Sequence, residues 1–195
     1  IISDNTATNM IIDLLGGKAV RLEQGRRESA KVYSDAPWEI AASFAAAGAP
    51  RIHVVDLDAA FSKGETHNRA TIERIAKATT LDIEVGGGIR TRKDCERLFD
   101  VGAKYAVLGT VAVKDPALTE ELCGAFPRKI VVAVDAREGR VATEGWTEDS
   151  EVLAVDVGEA VARAGAAAVL YTDIGRDGMR SGPNLEATAR LARRI

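Results

Sequence analysis

Histidine and cysteine, the side chains most used as ligands and nucleophiles, are nearly missing from this chain: its 195 residues hold two of each. His53, His67, Cys95 and Cys123 stand apart without metal-ligand spacing, which speaks against a catalytic zinc site. Cys95 and Cys123 sit in separate helix-like stretches and read as reduced thiols of a cytosolic protein, not as a disulfide staple. Neither a basic tract nor a basic-aromatic stripe occurs, and the net charge is −3, so nucleic acid is not an expected partner. No apolar run approaches the ~20 residues that a bilayer-spanning helix needs, and no signal-peptide pattern is present. The expected setting is therefore the cytoplasm, away from membranes. P-loop spacing and GxGxxG are also lacking, which disfavours a nucleotide, and neither cofactor nor metal is expected.

What is present is a regular alternation. At 46% hydrophobic and 28% charged, the chain has the composition of a globular protein with one sizeable core. Strands are predicted near 10–14, 51–56, 82–85, 105–108, 129–134 and 168–172. Helices are predicted near 37–47, 68–78, 92–101, 116–123, 152–164 and 184–195. Six βα units in a row, with near-continuous apolar strands, mean a parallel sheet covered by helices. Ala47-Gly48-Ala49, Val101-Gly102-Ala103 and Ala164-Gly165-Ala166 read as helix ends running straight into strands. The loops after the strands carry most of the Asp, Gly, Arg and Thr, as expected where sites sit at strand C-termini.

Two sentences of the sequence match. IDLLGGK and VDAREGR each place an Asp (Asp13, Asp135) at the end of an apolar run, with a glycine and a basic residue following at equal spacing. Further on, Asp56, Gly64 and Asn68 are echoed by Asp173, Gly182 and Asn184. Strand one thus pairs with strand five, and two with six. Four βα units per repeat imply eight, hence an α/β fold of the (β/α)8 TIM-barrel class. About six of its eight units are expected here, in one domain over 10–195 made of duplicated half-barrels. Residues 1–9 read as a tail or an eroded first strand.

Chemistry can be placed on this frame. Val85-Gly86-Gly87-Gly88-Ile89-Arg90 and Leu108-Gly109-Thr110 are glycine-rich strand ends whose N–H groups suit a phosphate, with Arg90 and the Thr110 hydroxyl as added donors. Asp13 and Asp135, on opposite strands of an eight-stranded barrel, would face one another as general acid and base. The plainer alternative pairs them with Lys18 and Arg140. Asp56, Asp58 and Asp173 are weaker catalytic candidates, and Asp173, turned toward its loop, suits loop positioning at least as well as catalysis. His53 is of opposite parity to Asp56 and is expected to pack against the helix layer, and His67 to lie near a helix start. Two loops, 15–35 and 137–150, read as lids, the second carrying Trp146 either to stack on a flat ring or to anchor the loop.

Across IDLLGGKAVRL, HVVDLDAAF, VGGGIR, LGTVAVKDP, VDAREGRVATEGW and YTDIGRDGMRSGPNLE, the chain resembles the phosphoribosylformimino-aminoimidazole carboxamide ribotide isomerases of histidine biosynthesis. The resemblance implies a cofactor-free Amadori rearrangement of an aminoaldose to an aminoketose. It implies Asp135 as the acid that opens the furanose ring, Asp13 as the base at C2, and Thr172 as a hydrogen-bonding assistant. One substrate phosphate would rest on Gly87, Gly88, Gly109 and Thr110, and the other near Gly182 and on strands seven and eight. Arg21, Arg90, Trp146 and Asp173 complete the expected binding set. The implied partner is a small phosphoribosyl substrate with two phosphates, the full-length form being a monomer. With strands seven and eight not in the sequence, open edges on strands one and six would favour self-association. Thr8-Asn9-Met10 also departs from the family's proline-containing first strand. The alternatives are the sister cyclase, which Arg21-Leu22 and Tyr171-Thr172-Asp173 fit less well, and a dual-substrate isomerase that also takes phosphoribosylanthranilate. A non-catalytic barrel fragment or scaffold is the alternative from a different class.

Overall fold

A computed structural model describes residues 10–23, 26–62, 64, 67–146, 148–176 and 182–195, so the expected tail at 1–9 lies outside the described residues. The chain forms two compact units, Asp4–Val107 and Leu108–Ile195.

In the first unit the elements run β1 (Met10–Leu15), β2 (Lys18–Glu23), β3 (Arg26–Ser34), α1 (Pro37–Ala46), β4 (Arg51–Asp56), α2 (Leu57–Phe61), α3 (Arg69–Ala78), β5 (Asp82–Gly86), α4 (Arg92–Asp100) and β6 (Tyr105–Leu108). Strands β1, β4, β5 and β6 pair in parallel in that order, while β2 and β3 continue the sheet antiparallel beyond β1. One face of the parallel strands is a dry core: Ile12, Leu14, Ile52, Val54, Ile83 and Val85 are each at most 3% exposed. Burying a side chain of that size contributes about 1.5–3 kcal/mol. Ile72 and Ile75 of α3 and Leu98 of α4 are buried as well. Helix starts are written locally. Pro37 opens α1, and Thr91 with Asp94 forms a reciprocal capping box on α4.

The second unit runs α5 (Val111–Lys114), α6 (Pro116–Ala125), β7 (Ile130–Arg137), β8 (Arg140–Thr143), β9 (Glu148–Leu153), α7 (Ala154–Arg163), β10 (Ala168–Asp173) and α8 (Leu185–Ala192). Its sheet order is β9-β8-β7-β10, with only the β7–β10 pairing parallel. Asp115 caps α6 and Asn184 caps α8 through their side-chain oxygens.

The two predicted lid loops are largely strands. Segment 15–35 contains β2 and β3, and 137–150 contains β8 and the start of β9. Each excursion leaves its strand through a two-residue turn, with Leu15 opposite Lys18 and Arg137 opposite Arg140. The central residues Gly16-Gly17 and Glu138-Gly139 all have positive φ, as a tight hairpin of this twist requires. The repeated Asp-to-basic spacing seen in the sequence is thus a repeated hairpin. It also changes the expected open edge of the first strand, because β2 takes its Asp13–Leu15 portion. The sixth parallel strand, β10, pairs with β7 alone.

Candidate functional site

Parallel register sets which side chains share a face. In the first unit Asp13 stands level with Val55, Gly86 and Val107, one pleat beyond the row Ile11, His53, Glu84 and Tyr105. On β1 this face is open, with Ile11 59% exposed against 3% for Ile12, while Glu84 and Val107 on the same face are 1% and 4% exposed. Asp13 is half-buried on it. In the second unit Asp135 is half-buried too, and its register partner across β7 and β10 is Thr172. The proposed acid and its proposed assistant are neighbours on one face. The same position in the first half, opposite Asp13, is held by Val55. Of the cations weighed as partners for the two acids, Lys18 binds Asp35 at 2.7 Å and Arg140 binds Glu151 at 2.6 Å.

Gly87, Gly88 and Arg90 share the turn after β5. Both glycines have positive φ, and a Cβ would crowd the backbone of Asp56 at Gly87 and of Ala59 at Gly88. Arg90 is exposed and donates from its guanidinium to the Gly88 carbonyl at 3.2 Å. In the second unit Gly109 has ordinary φ and open space where a Cβ would go. The Thr110 hydroxyl accepts from the Glu144 N–H at 3.0 Å, which leaves its own proton to donate. Glu144, Gly145 and Trp146 all have positive φ, an uncommon run, and the Trp146 indole is half-exposed. Arg21 is an exposed residue of β2 opposite Lys31. Gly182 has positive φ with open space around it, and residues 177–181 of its loop lie outside the described residues.

Asp56 and Asp173 each bind the loop that follows their strand. The Asp56 carboxylate caps α2 through Ala59 N–H and also accepts from Asn68 N–H and the Asn68 side chain, at 2.8–3.1 Å. Asn68 in turn accepts from Gly17 N–H at 2.7 Å, and Asp58 accepts from Gly16 N–H. This latch ties the β1–β2 turn to the start of α3. Its counterpart in the second half joins Asp173 to Asn184 at 2.6 Å and to Gly175 N–H at 3.0 Å. Asn68 is 5% exposed. Asn68→Ala is therefore expected to cost about 2–3 kcal/mol by leaving Asp56 short of donors. A urea midpoint within error of the unsubstituted protein would remove that role. Beside the latch opens a pocket of about 420 Å³ lined by Gly16, Gly17, Arg27, His67, Asn68 and Thr71.

His53 lies on the opposite face from the one expected. Asp56, used as the parity reference, points with Ile52 and Val54 into the helix-covered core, where it caps α2. That puts His53 with Arg51 and Val55 on the Asp13 face. There Glu84, 1% exposed, takes His53 Nδ1 at 2.9 Å and Arg51 at 3.0 Å, while Arg51 stacks over the Tyr105 ring at 4.4 Å. Sequence reasoning missed this cluster. Its signal was the alternation of Arg51 and His53 along one strand and of Asp82 and Glu84 along the next.

Burial alone would raise the Glu84 carboxyl, but the hydrogen bond from His53, with the charge and hydrogen bond of Arg51, outweighs it and leaves the group below its ordinary value of 4.5. A depressed folded-state value contributes stability above the unfolded one and loses it as pH falls through the folded one. The urea midpoint is expected to drop as pH falls below about 4.5, with a shallower drop in Glu84→Gln. Equal pH dependence in both proteins would exclude Glu84 as a source.

Parallel βα units, with carboxylates, glycine turns and hydroxyls gathered at the strand C-termini, define a protein of the βα-barrel class. The model of a family described as histidine biosynthesis protein matches residues 10–195, and the chain belongs to that family, whose fold is the (β/α)8 barrel. Six of its βα units are seen here. Among similar proteins, one from Picosynechococcus sp. is 50% identical over 184 residues, covering 94% of this chain and 72% of the relative. One from Hahella chejuensis is 51% identical over 183 residues, covering 93% and 75%. Both are named 1-(5-phosphoribosyl)-5-((5-phosphoribosylamino)methylideneamino)imidazole-4-carboxamide isomerase.

Proposed function

We propose that this chain is a cofactor-independent aldose–ketose isomerase of histidine biosynthesis, acting in the cytoplasm on a phosphoribosyl substrate with a phosphate at each end. The observation that carries the reading is the strand-end carboxylate written twice, Asp13 and Asp135, each just ahead of the same tight hairpin and each half-buried on its strand. The family and the names of its relatives supply the reaction class.

In the proposed Amadori chemistry Asp135 gives a proton to the furanose ring oxygen, the C–O bond breaks, and a Schiff base forms at C1. Asp13 then removes the C2 proton, and the electron pair moves into the C1–C2 bond to give an enolamine. Asp13 returns its proton to C1 while the C2 hydroxyl gives its own to the Asp135 carboxylate, leaving the ketone at C2, so C2 is oxidised and C1 reduced with no outside carrier. Thr172, level with Asp135, can donate to or accept from the moving proton's oxygen. One phosphate takes the N–H groups at Gly87, Gly88 and Gly109 with the Thr110 hydroxyl, and Arg90 adds charge. Support for Gly109 is that neither its φ nor its surroundings demand a glycine, whereas a close phosphate would. The second phosphate lies toward Gly182, with Asp173 holding its own loop. Arg21 reaches the substrate from β2, and Trp146, set by its left-handed backbone, stacks on the imidazole ring.

The test is to incubate the chain with the aminoaldose and follow the aminoketose by chromatography, with phosphoribosylanthranilate in a parallel assay. Conversion of the first substrate above the uncatalysed rate is expected. No conversion by folded protein would overturn the reading for this chain, and conversion of both substrates would widen it to the dual-substrate enzyme.

A further inference from the structure

The Glu84–His53 pair has three features that a purely structural ion pair does not need. A carboxylate can only accept, and Glu84 is held ionised, so the 2.9 Å contact puts the proton on His53 Nδ1. The other ring nitrogen, Nε2, has no polar partner among the described residues, although His53 is only 9% exposed. Burial of an acceptor without a partner is costly, and such a group points to a ligand.

The third feature is Gly86. Its φ is ordinary, so the strand does not require a glycine there. A Cβ at this position would sit 3.8 Å from His53 Nε2, 3.7 Å from Cε1 and 3.4 Å from Val107 Cβ. Alanine would fit, and it would cover the imidazole from the side of the Asp13 row, to which Gly86 belongs. The absent side chain is a window onto Nε2.

We propose that Glu84 is a positioning residue that locks His53 in the Nδ1–H form, so that Nε2 is presented through the Gly86 window as an acceptor for a sugar hydroxyl on the Asp13 face. The inference rests on the isomerase reading for the identity of the ligand, a phosphorylated ribose. Arg51 completes the lock. It donates to the second oxygen of Glu84 at 3.0 Å while held against the Tyr105 ring, so that carboxylate has one orientation. Amide substitution therefore does more than remove a charge. In Glu84→Gln, Arg51 claims the carbonyl oxygen, the amide N–H₂ turns toward Nδ1, and the imidazole proton moves to Nε2. The acceptor becomes a donor.

The experiment is ¹⁵N NMR of the histidine rings in the full chain at neutral pH, with ribose 5-phosphate as the probe and isomerase assays in parallel. The unsubstituted protein is expected to show His53 as the Nδ1–H tautomer, with the Nε2 resonance shifting as ribose 5-phosphate is added. Glu84→Gln is expected to invert the tautomer and lower kcat/KM at least about tenfold, the worth of one misdirected hydrogen bond. Gly86→Ala should keep the tautomer and the melting temperature but lose the probe-induced shift and a similar factor in kcat/KM, so it carries the test if Glu84→Gln does not fold. An Nε2–H tautomer in the unsubstituted protein would overturn the proposal, as would full activity in both variants. A chain that shows the tautomer and the probe shift but no isomerisation would leave the lock standing and sink the reaction.

Discussion

Asp135→Asn is expected to lower kcat for the aminoaldose by about 10³-fold, within the 10²–10⁴ that general acid–base catalysis contributes, with KM changed much less. Asparagine keeps the volume and the hydrogen-bonding reach of aspartate, and Asp135 sits half-buried beside Thr172, so the fold has little reason to respond. Asp13→Asn is expected to act in the same range through the C2 proton. The double variant should lose little more than either single one, because two groups serving one proton inventory do not add. Thermal unfolding measured alongside separates chemistry from folding. A variant with a native melting temperature and more than a tenth of the activity would remove that aspartate from the acid–base pair.

Gly88→Ala is expected to be strongly destabilising to the first unit. The residue has φ +70°, and its new Cβ would fall 2.7 Å from Ala59 Cβ and closer still to the Ala59 carbonyl, which belongs to α2. Strain of that kind and a backbone overlap together cost about 3–5 kcal/mol. Gly109→Ala is the control. With ordinary φ and open space it should leave stability within about 0.5 kcal/mol and raise KM about tenfold, by holding a phosphate off the backbone. The pair separates two reasons for a glycine that look identical in sequence. Unchanged KM in Gly109→Ala would take that strand end out of phosphate binding, and a stable Gly88→Ala would deny the tight approach of α2.

The frame was legible because its signals are local. β4 and β6 begin and end where apolar runs meet Asp, Gly or a helix-ending turn, and their observed limits are the predicted ones. The duplicated aspartates were equally visible, and their register partners, Val55 and Thr172, hold equivalent positions within each half. The hairpins were not. β3 (RRESAKVYS) lies outside the core, its Val32 and Tyr33 57% and 73% exposed, so no buried face writes an alternating pattern into it. A two-residue turn such as Gly16-Gly17 reads as one more loop glycine until its φ values are known. The face of His53 was lost for a different reason. Alternation tells which residues share a side but not which side is the helix side, and Asp56, an acid spent on capping a short helix, gave the wrong anchor. Sequence spacing likewise could not show that Glu84 and His53 stand level across two strands.

A duplicated fold begins life with two copies of the same chemical opinion. Two identical aspartates in identical surroundings would ionise alike, and an acid and a base cannot be made from twins. The halves differ at the seat beside each carboxylate: a hydroxyl that can give or take a hydrogen bond next to Asp135, an aliphatic Val55 next to Asp13. On the proposed reading, division of labour between the two lies not in the reacting groups, which are the same, but in the company each one keeps. Exchanging Thr172 and Val55 between the halves is the shortest route to asking whether the roles travel with the neighbour.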